Sequence, residues 1–163
     1  MKPTDLLALL QDVHREKLAL YRRHERVAQV VTSYEFNNTY QYVLQREDTH
    51  LDWLRAAITD AGAQPDESGV APDVAVTGKG AAAARALFDE DARSAGDFVT
   101  RWRPRVAALT HARHRKMLEL LLGEVAEHQR FFEQASAGRA DLLGRRPEHA
   151  GTGGGVLPTR WVN

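Results

Sequence analysis

Cysteine is absent from the 163 residues. Disulfide scaffolding, thiol catalysis and thiolate-held zinc are thereby excluded, so any metal would be held by nitrogen and oxygen. Charge of one sign is not in excess either, because 22 Lys plus Arg meet 22 Asp plus Glu. Nucleic acid and anionic membrane both select a basic surface, and neither is expected as a partner. The basic clusters Arg22–Arg23 and Arg101–Arg105 read as solvated helix faces. No apolar run reaches the ~18 residues of a membrane span. The short run Leu6–Leu10 breaks at Gln11 and Asp12, which does not make a secretory leader, and a cytoplasmic location is expected. Strand-like alternation is nearly missing, as is a Gly-x-Ser-x-Gly nucleophile motif. The Gly-Thr-Gly-Gly-Gly run at 151–155 lacks the preceding strand and following helix of a phosphate loop.

Apolar residues at helical spacing are plentiful, at 43% of a chain of single-domain length. A first helix is expected from near Thr4 to about Val31, with a stripe of Leu6, Leu9, Val13, Glu16, Leu20, Val27 and Val30. Thr32 and Glu35 have capping-box spacing and open a second helix. That helix carries Tyr40, Val43, Glu47, His50, Leu51, Leu54 and Ile58 on one face and ends near Gly62. Residues 63–78, with Pro65, Gly69, Pro72 and Gly78, read as a loop. A helix of about 29 residues is roughly 44 Å long, and about 15 extended residues span roughly 50 Å. The loop can therefore cross the whole bundle; a surface excursion is the alternative.

The third helix begins near Gly80 and carries Ala83, Leu87, Asp91, Ser94, Phe98 and Trp102. Pro104 either opens the fourth helix or kinks the third, which then turns near Thr110. The fourth runs to about Ala137 with Met117, Leu121, Glu124, His128 and Phe132 on one stripe. The pattern predicts an all-α, antiparallel four-helix bundle over residues 1–137 and a Gly/Arg-rich tail over 138–163. Val156, Leu157 and Trp161 of the tail either dock on the bundle or a partner, or stay free.

Glu47 and His50 are three apart on the second helix, so both can face one ion. Both lie in a core stripe, where an unpaired carboxylate costs several kcal/mol. Glu16 interrupts the first helix's stripe in the same way, between Val13 and Leu20. The segment Leu44-Gln45-Arg46-Glu47-Asp48-Thr49-His50-Leu51-Asp52-Trp53-Leu54 resembles the second helix of ferritin-like and rubrerythrin-like di-iron proteins. Glu16-Lys17-Leu18-Ala19 is similar to that family's first helix, and the layout covers roughly residues 4–137. In the family each of two hairpins supplies a Glu and then, about 30 to 35 residues later, a Glu-x-x-His. Glu16 precedes Glu47 by 31 residues.

The resemblance implies a ferritin-like bundle with a crossover between helices two and three. It also implies an iron or manganese pair held by Glu16, Glu47, His50, Asp91, Glu124 and His128. Oxygen or peroxide activation, or iron handling, would be the activity. The second hairpin departs from the motif, because Val125 stands three before His128 and Glu124 four before. Asp91 stands where the third helix should supply Glu, with Glu90 as the fallback. A turn at Trp102–Pro104 would leave Asp91 and Glu124 at heights differing by roughly 15 Å; the layout needs a turn nearer 107–110. The alternative is a bundle without metals that acts as a structural or interaction module. A homo-oligomer, as a dimer, is the expected assembly. His111 and His114, among Arg105, Arg113, Arg115 and Lys116, are expected to face solvent, and His14 and His24 to be structural or exposed.

Overall fold

A computed structural model describes residues 3–69, 73–76 and 80–143. It contains α1 (Pro3–Val30), α2 (Tyr34–Asp60), α3 (Ala81–Ala107) and α4 (Ala112–Ser136), and no strand among the described residues. The predicted all-α bundle is therefore observed, with boundaries within a few residues of those expected. Residues 144–163, including Val156, Leu157 and Trp161, lie outside the described residues.

α1 packs on α2 and α3, and α4 packs on α3 and α2, which leaves α1–α4 and α2–α3 as the diagonals. Cross-helix contacts fix the directions. Lys17 meets Glu47 while His24 meets Tyr40, so α1 and α2 are antiparallel. Glu16 meets Arg101 while Arg23 meets Asp91, so α1 and α3 are antiparallel too. The diagonal pair α2 and α3 is consequently parallel, and the chain between them must return along the bundle. It does: Ala63 packs at the end holding Leu9, Leu54 and Ile58, and Val74 at the end holding Val27 and Phe88.

Two apolar clusters fill the two ends. One joins Leu10, Val13, Leu54, Ile58, Phe98, Trp102, Leu118 and Leu121. The other joins Val27, Val31, Tyr40, Val43, Phe88, Phe132 and, beyond α4, Leu142. Between them lies a layer of buried polar side chains.

Local expectations fared unevenly. Ser33, rather than Thr32, is the N-cap of α2, without a side-chain cap bond. Asn37 Nδ2 instead donates to the Ala28 carbonyl and closes the hairpin at 2.7 Å. Gly62 ends α2 as anticipated, with φ of 83° and its N–H on Thr59 O, a conformation that costs glycine little. Pro104 lies inside α3, and the turn to α4 occupies residues 108–111. The stripe of α1 is met in part: Leu9, Val13 and Val27 are buried as expected, but Glu16, Leu20 and Val30 are not. Leu10, Lys17, His24 and Val31 point inward, whereas Val30 is 43% exposed.

The crossover is tied down at Glu67. Its carboxylate accepts from Arg55 Nε and Nη2 on α2 at 2.8 and 3.1 Å, lies 3.2 Å from His14 Nε2 on α1, and its carbonyl accepts from Arg22. Exposed ion pairs contribute little each, but here one residue gathers three elements. Glu67→Ala should lower stability by about 1 kcal/mol, a melting-temperature drop of ~2–5 °C for a domain of this size, read by circular dichroism.

Candidate functional site

Spacing of three and four along each helix brings the polar layer together. Lys17 and His24 of α1, Glu47 and His50 of α2, Asp91 of α3 and His128 of α4 are all buried. They occupy the same inward seams as the apolar residues above and below them, so the bundle cannot close without burying them.

Each acid is met by a cation from another helix. Lys17 Nζ donates to Glu47 Oε1 at 2.5 Å, and His24 Nδ1 donates to Glu47 Oε2 at 2.7 Å. Asp91 accepts from Arg23 Nε at 2.5 Å and from the Tyr40 hydroxyl, with His24 Nε2 3.8 Å away. Glu124, at the edge of the layer, accepts both arms of Arg46 at 2.9 and 2.8 Å and His50 Nε2 at 2.8 Å. Glu16 is not in the layer. Its side chain is 34% exposed on the α1–α3 seam, where it binds Arg101 at 2.9 Å and Trp102 Nε1 at 3.0 Å.

Electrostatics follow from these neighbours. Burial opposes the ionisation of Glu47, but His24 and Lys17 outweigh it and hold its pKa below the usual carboxylate value. Burial would likewise lower His24, yet Glu47 and then Asp91 hold its pKa above normal, which favours the imidazolium. His50 and His128 go the other way. Burial and then the Lys17 charge push them down to about 4 and about 3. Both are therefore neutral near pH 7, and the His50 contact assigns its proton to Nε2. Neither ring nitrogen of His128 has a hydrogen-bond partner among the described residues.

Of the six residues expected to ligate metal, Glu47, His50, Asp91 and His128 share the layer, Glu124 borders it and Glu16 stands outside. Among the described residues no three or more His, Asp and Glu side chains are grouped so as to hold a metal ion. The donor set does not fit a di-metal centre, because Lys17, Arg23 and Arg46 already take the carboxylate oxygens such a centre would need. Sequence reasoning missed Lys17, Arg23, His24, Tyr40 and Arg46. A signal for two of them was present: Leu10, Lys17, His24 and Val31 recur every seven residues, the period of an inward seam.

Removing one partner of a buried pair strands the other. Lys17→Met should cost about 3–5 kcal/mol, and Lys17→Met with Glu47→Leu should recover most of it; urea unfolding of both variants measures this, and a single variant of near-native stability would contradict the pairing. Stability should also depend on pH. Below pH ~6.5 the unfolded chain protonates His50 and His128 while the native state does not, so each lowers stability by ~1.4 kcal/mol per pH unit. Above ~6.5 the native state keeps the His24 proton that the unfolded chain loses, so stability falls there as well. A maximum near pH 6.5 is expected in urea midpoints, and His128→Phe should flatten the acid limb.

No protein-family model matches the chain, and no curated protein or solved structure matches it either.

Proposed function

We propose that this chain is a metal-free four-helix bundle that serves as an interaction module, self-associating as a dimer, rather than a di-metal oxidoreductase. The observation that carries this reading is Lys17, a fully buried ammonium 2.5 Å from the very carboxylate, Glu47, that a metal pair would share. A divalent ion placed against Glu47 would also lie close to that ammonium, and like charges at such range repel strongly at low dielectric. An outward face suits association. Leu120 is 53% exposed beside Met117 of α4 and Trp53, Ala56 and Ala57 of α2, around a groove of about 320 Å³. Asp60, Arg113 and His114 complete the lining, so a second copy would bury Leu120 within a polar rim.

One observation favours the iron or manganese reading suggested by the ferritin-like resemblance. His128 is buried and neutral, and both its ring nitrogens lack partners among the described residues, as a ligand's would before ion binding. Of the acids expected to share an ion with it, Glu47 and Glu124 are each already met by a cation.

Titration of metal-stripped protein with Fe(II) or Mn(II) separates the two. The proposal expects no binding that depends on Glu47, and a sedimentation mass of two chains that falls to one in Leu120→Glu. Two equivalents of iron or manganese per chain, lost in Glu47→Gln and His50→Ala, would overturn the metal-free reading; a monomeric wild type would overturn the dimer.

A further inference from the structure

A second histidine pair lies outside the buried layer. His111 is the N-cap of α4, and its Nδ1 accepts from the His114 backbone N–H at 3.4 Å. That bond leaves His111 Nδ1 unprotonated. His114 Nδ1 lies only 2.9 Å from it, with ring centroids 4.2 Å apart. Two nitrogen lone pairs cannot sit so close unshielded, so in the free protein one proton, on His114 Nδ1, bridges them.

We infer that His111 and His114 form a surface chelate in which a divalent transition ion of tetragonal preference, copper(II) or nickel(II), replaces that bridging proton. Nitrogens 2.9 Å apart, each about 2.1 Å from one ion, subtend roughly 90° at it. That is the angle between neighbouring ligands in square-planar or octahedral coordination. A tetrahedral zinc ion would need them about 3.4 Å apart at the same bond length. Burial, then His111 and Arg113, hold His114 below the usual histidine pKa, so it is neutral when an ion arrives. Asp60 at the end of α2 lines the same groove as His114 and brings negative charge, against the positive Arg113. On binding, the His114 proton moves to Nε2 and the His111 Nδ1 lone pair passes from the His114 backbone N–H to the ion. Both Nδ1 atoms then donate, the cap bond is given up and no net proton is released. No third His, Asp or Glu among the described residues joins the pair, and water fills the remaining positions.

The helix supplies the reason the two rings converge. An N-cap side chain folds back over the first turn to reach the N3 amide, and His114 is the N3 residue. A histidine at each place therefore puts both Nδ1 atoms on the same side of the turn. His111 is exposed and His114 is half-buried on the lining of the α2–α4 groove, both apart from Lys17 and Glu47.

The test uses tag-free, chelator-stripped full-length protein titrated with copper(II) and nickel(II), by calorimetry and by electron paramagnetic resonance for copper. One equivalent of copper with nitrogen hyperfine structure is expected, tighter than zinc. Losing an outer partner of a ligating histidine already weakens binding roughly tenfold or more, so His114→Ala should weaken it at least that much. His111→Asn, which keeps a capping side chain, should do the same without loss of helicity. Absence of stoichiometric binding, or unchanged affinity in the His111→Asn, His114→Ala double variant, would refute the chelate. Binding that survives in that double variant but disappears in His128→Ala would refute the metal-free core as well. Loss in the double variant with retention in His128→Ala leaves both standing.

Discussion

The ion pair between Lys17 and Glu47 constrains everything else in this bundle. An ammonium and a carboxylate removed from water lose several kcal/mol of hydration each, and only close contact with further hydrogen bonds returns it. His24 provides one of those bonds to Glu47 and passes the interaction to Asp91, which Arg23 and Tyr40 complete. The layer is continuous across α1, α2 and α3. Sliding α1 by one heptad along α2 would set Lys17 against Tyr40 or Leu54 in place of Glu47 and leave two charges stranded. Apolar clusters alone tolerate such slips, since one leucine resembles another. A single polar layer between them does not, so the pair sets helix height even if its net contribution to stability is small.

The arginine bridges fall where helices pack least intimately. α3 and α4 pack closely, with Gln129 against Gly96, where any side chain larger than hydrogen would meet Gln129 at about 3.1 Å. The α1–α3 and α2–α4 seams are spanned instead by long side chains: Arg23 to Asp91 and Arg101 to Glu16 on the first, Arg46 to Glu124 on the second. Arginine suits that task, because its aliphatic stem fills the seam while its planar fork reaches a carboxylate, with two arms in the case of Arg46 and Glu124. The crossover is secured on the same principle at Glu67, which lets α2 and α3 run parallel on the diagonal.

Four helices and the inward face of α2 were legible in the sequence because periodicity reports them directly, whereas the length of the loop allowed a crossover and a surface excursion alike. Val43, Glu47, His50 and Leu54 lie on the face they were expected to share, and Asp91 and His128 are buried as their stripes implied. The face of α1 was misread in part, at Glu16, where Lys17 points inward instead. Glu16 looked like the acid inside an apolar stripe, and Lys17 was passed over because lysine is almost never fully buried. What makes it tolerable is Glu47, 30 residues away, and no local pattern contains that information. Arg23 read as solvated for the same reason, and Arg46 was given no role. Pro104 left two readings open, since a proline near a helix end can begin one helix or sit late in another; three more residues of α3 follow it before the turn.

Charge arithmetic explains why a donor pattern alone misleads. Four carboxylates, Glu16, Glu47, Asp91 and Glu124, carry four negative charges, which two divalent ions would neutralise. In this chain Lys17, Arg101, Arg23 and Arg46 supply four positive charges, one against each acid. The two solutions to the same electrostatic demand compete, because an ion placed beside Lys17, Arg23 or Arg46 would bring positive charge to an acid that a cation already meets at low dielectric. Acids and histidines at ligand spacing therefore define a site that must be neutralised, without saying by what. The deciding residues are the cations one position away, Lys17 beside Glu16 and Arg46 beside Glu47, and they become informative only once the facing helix is known.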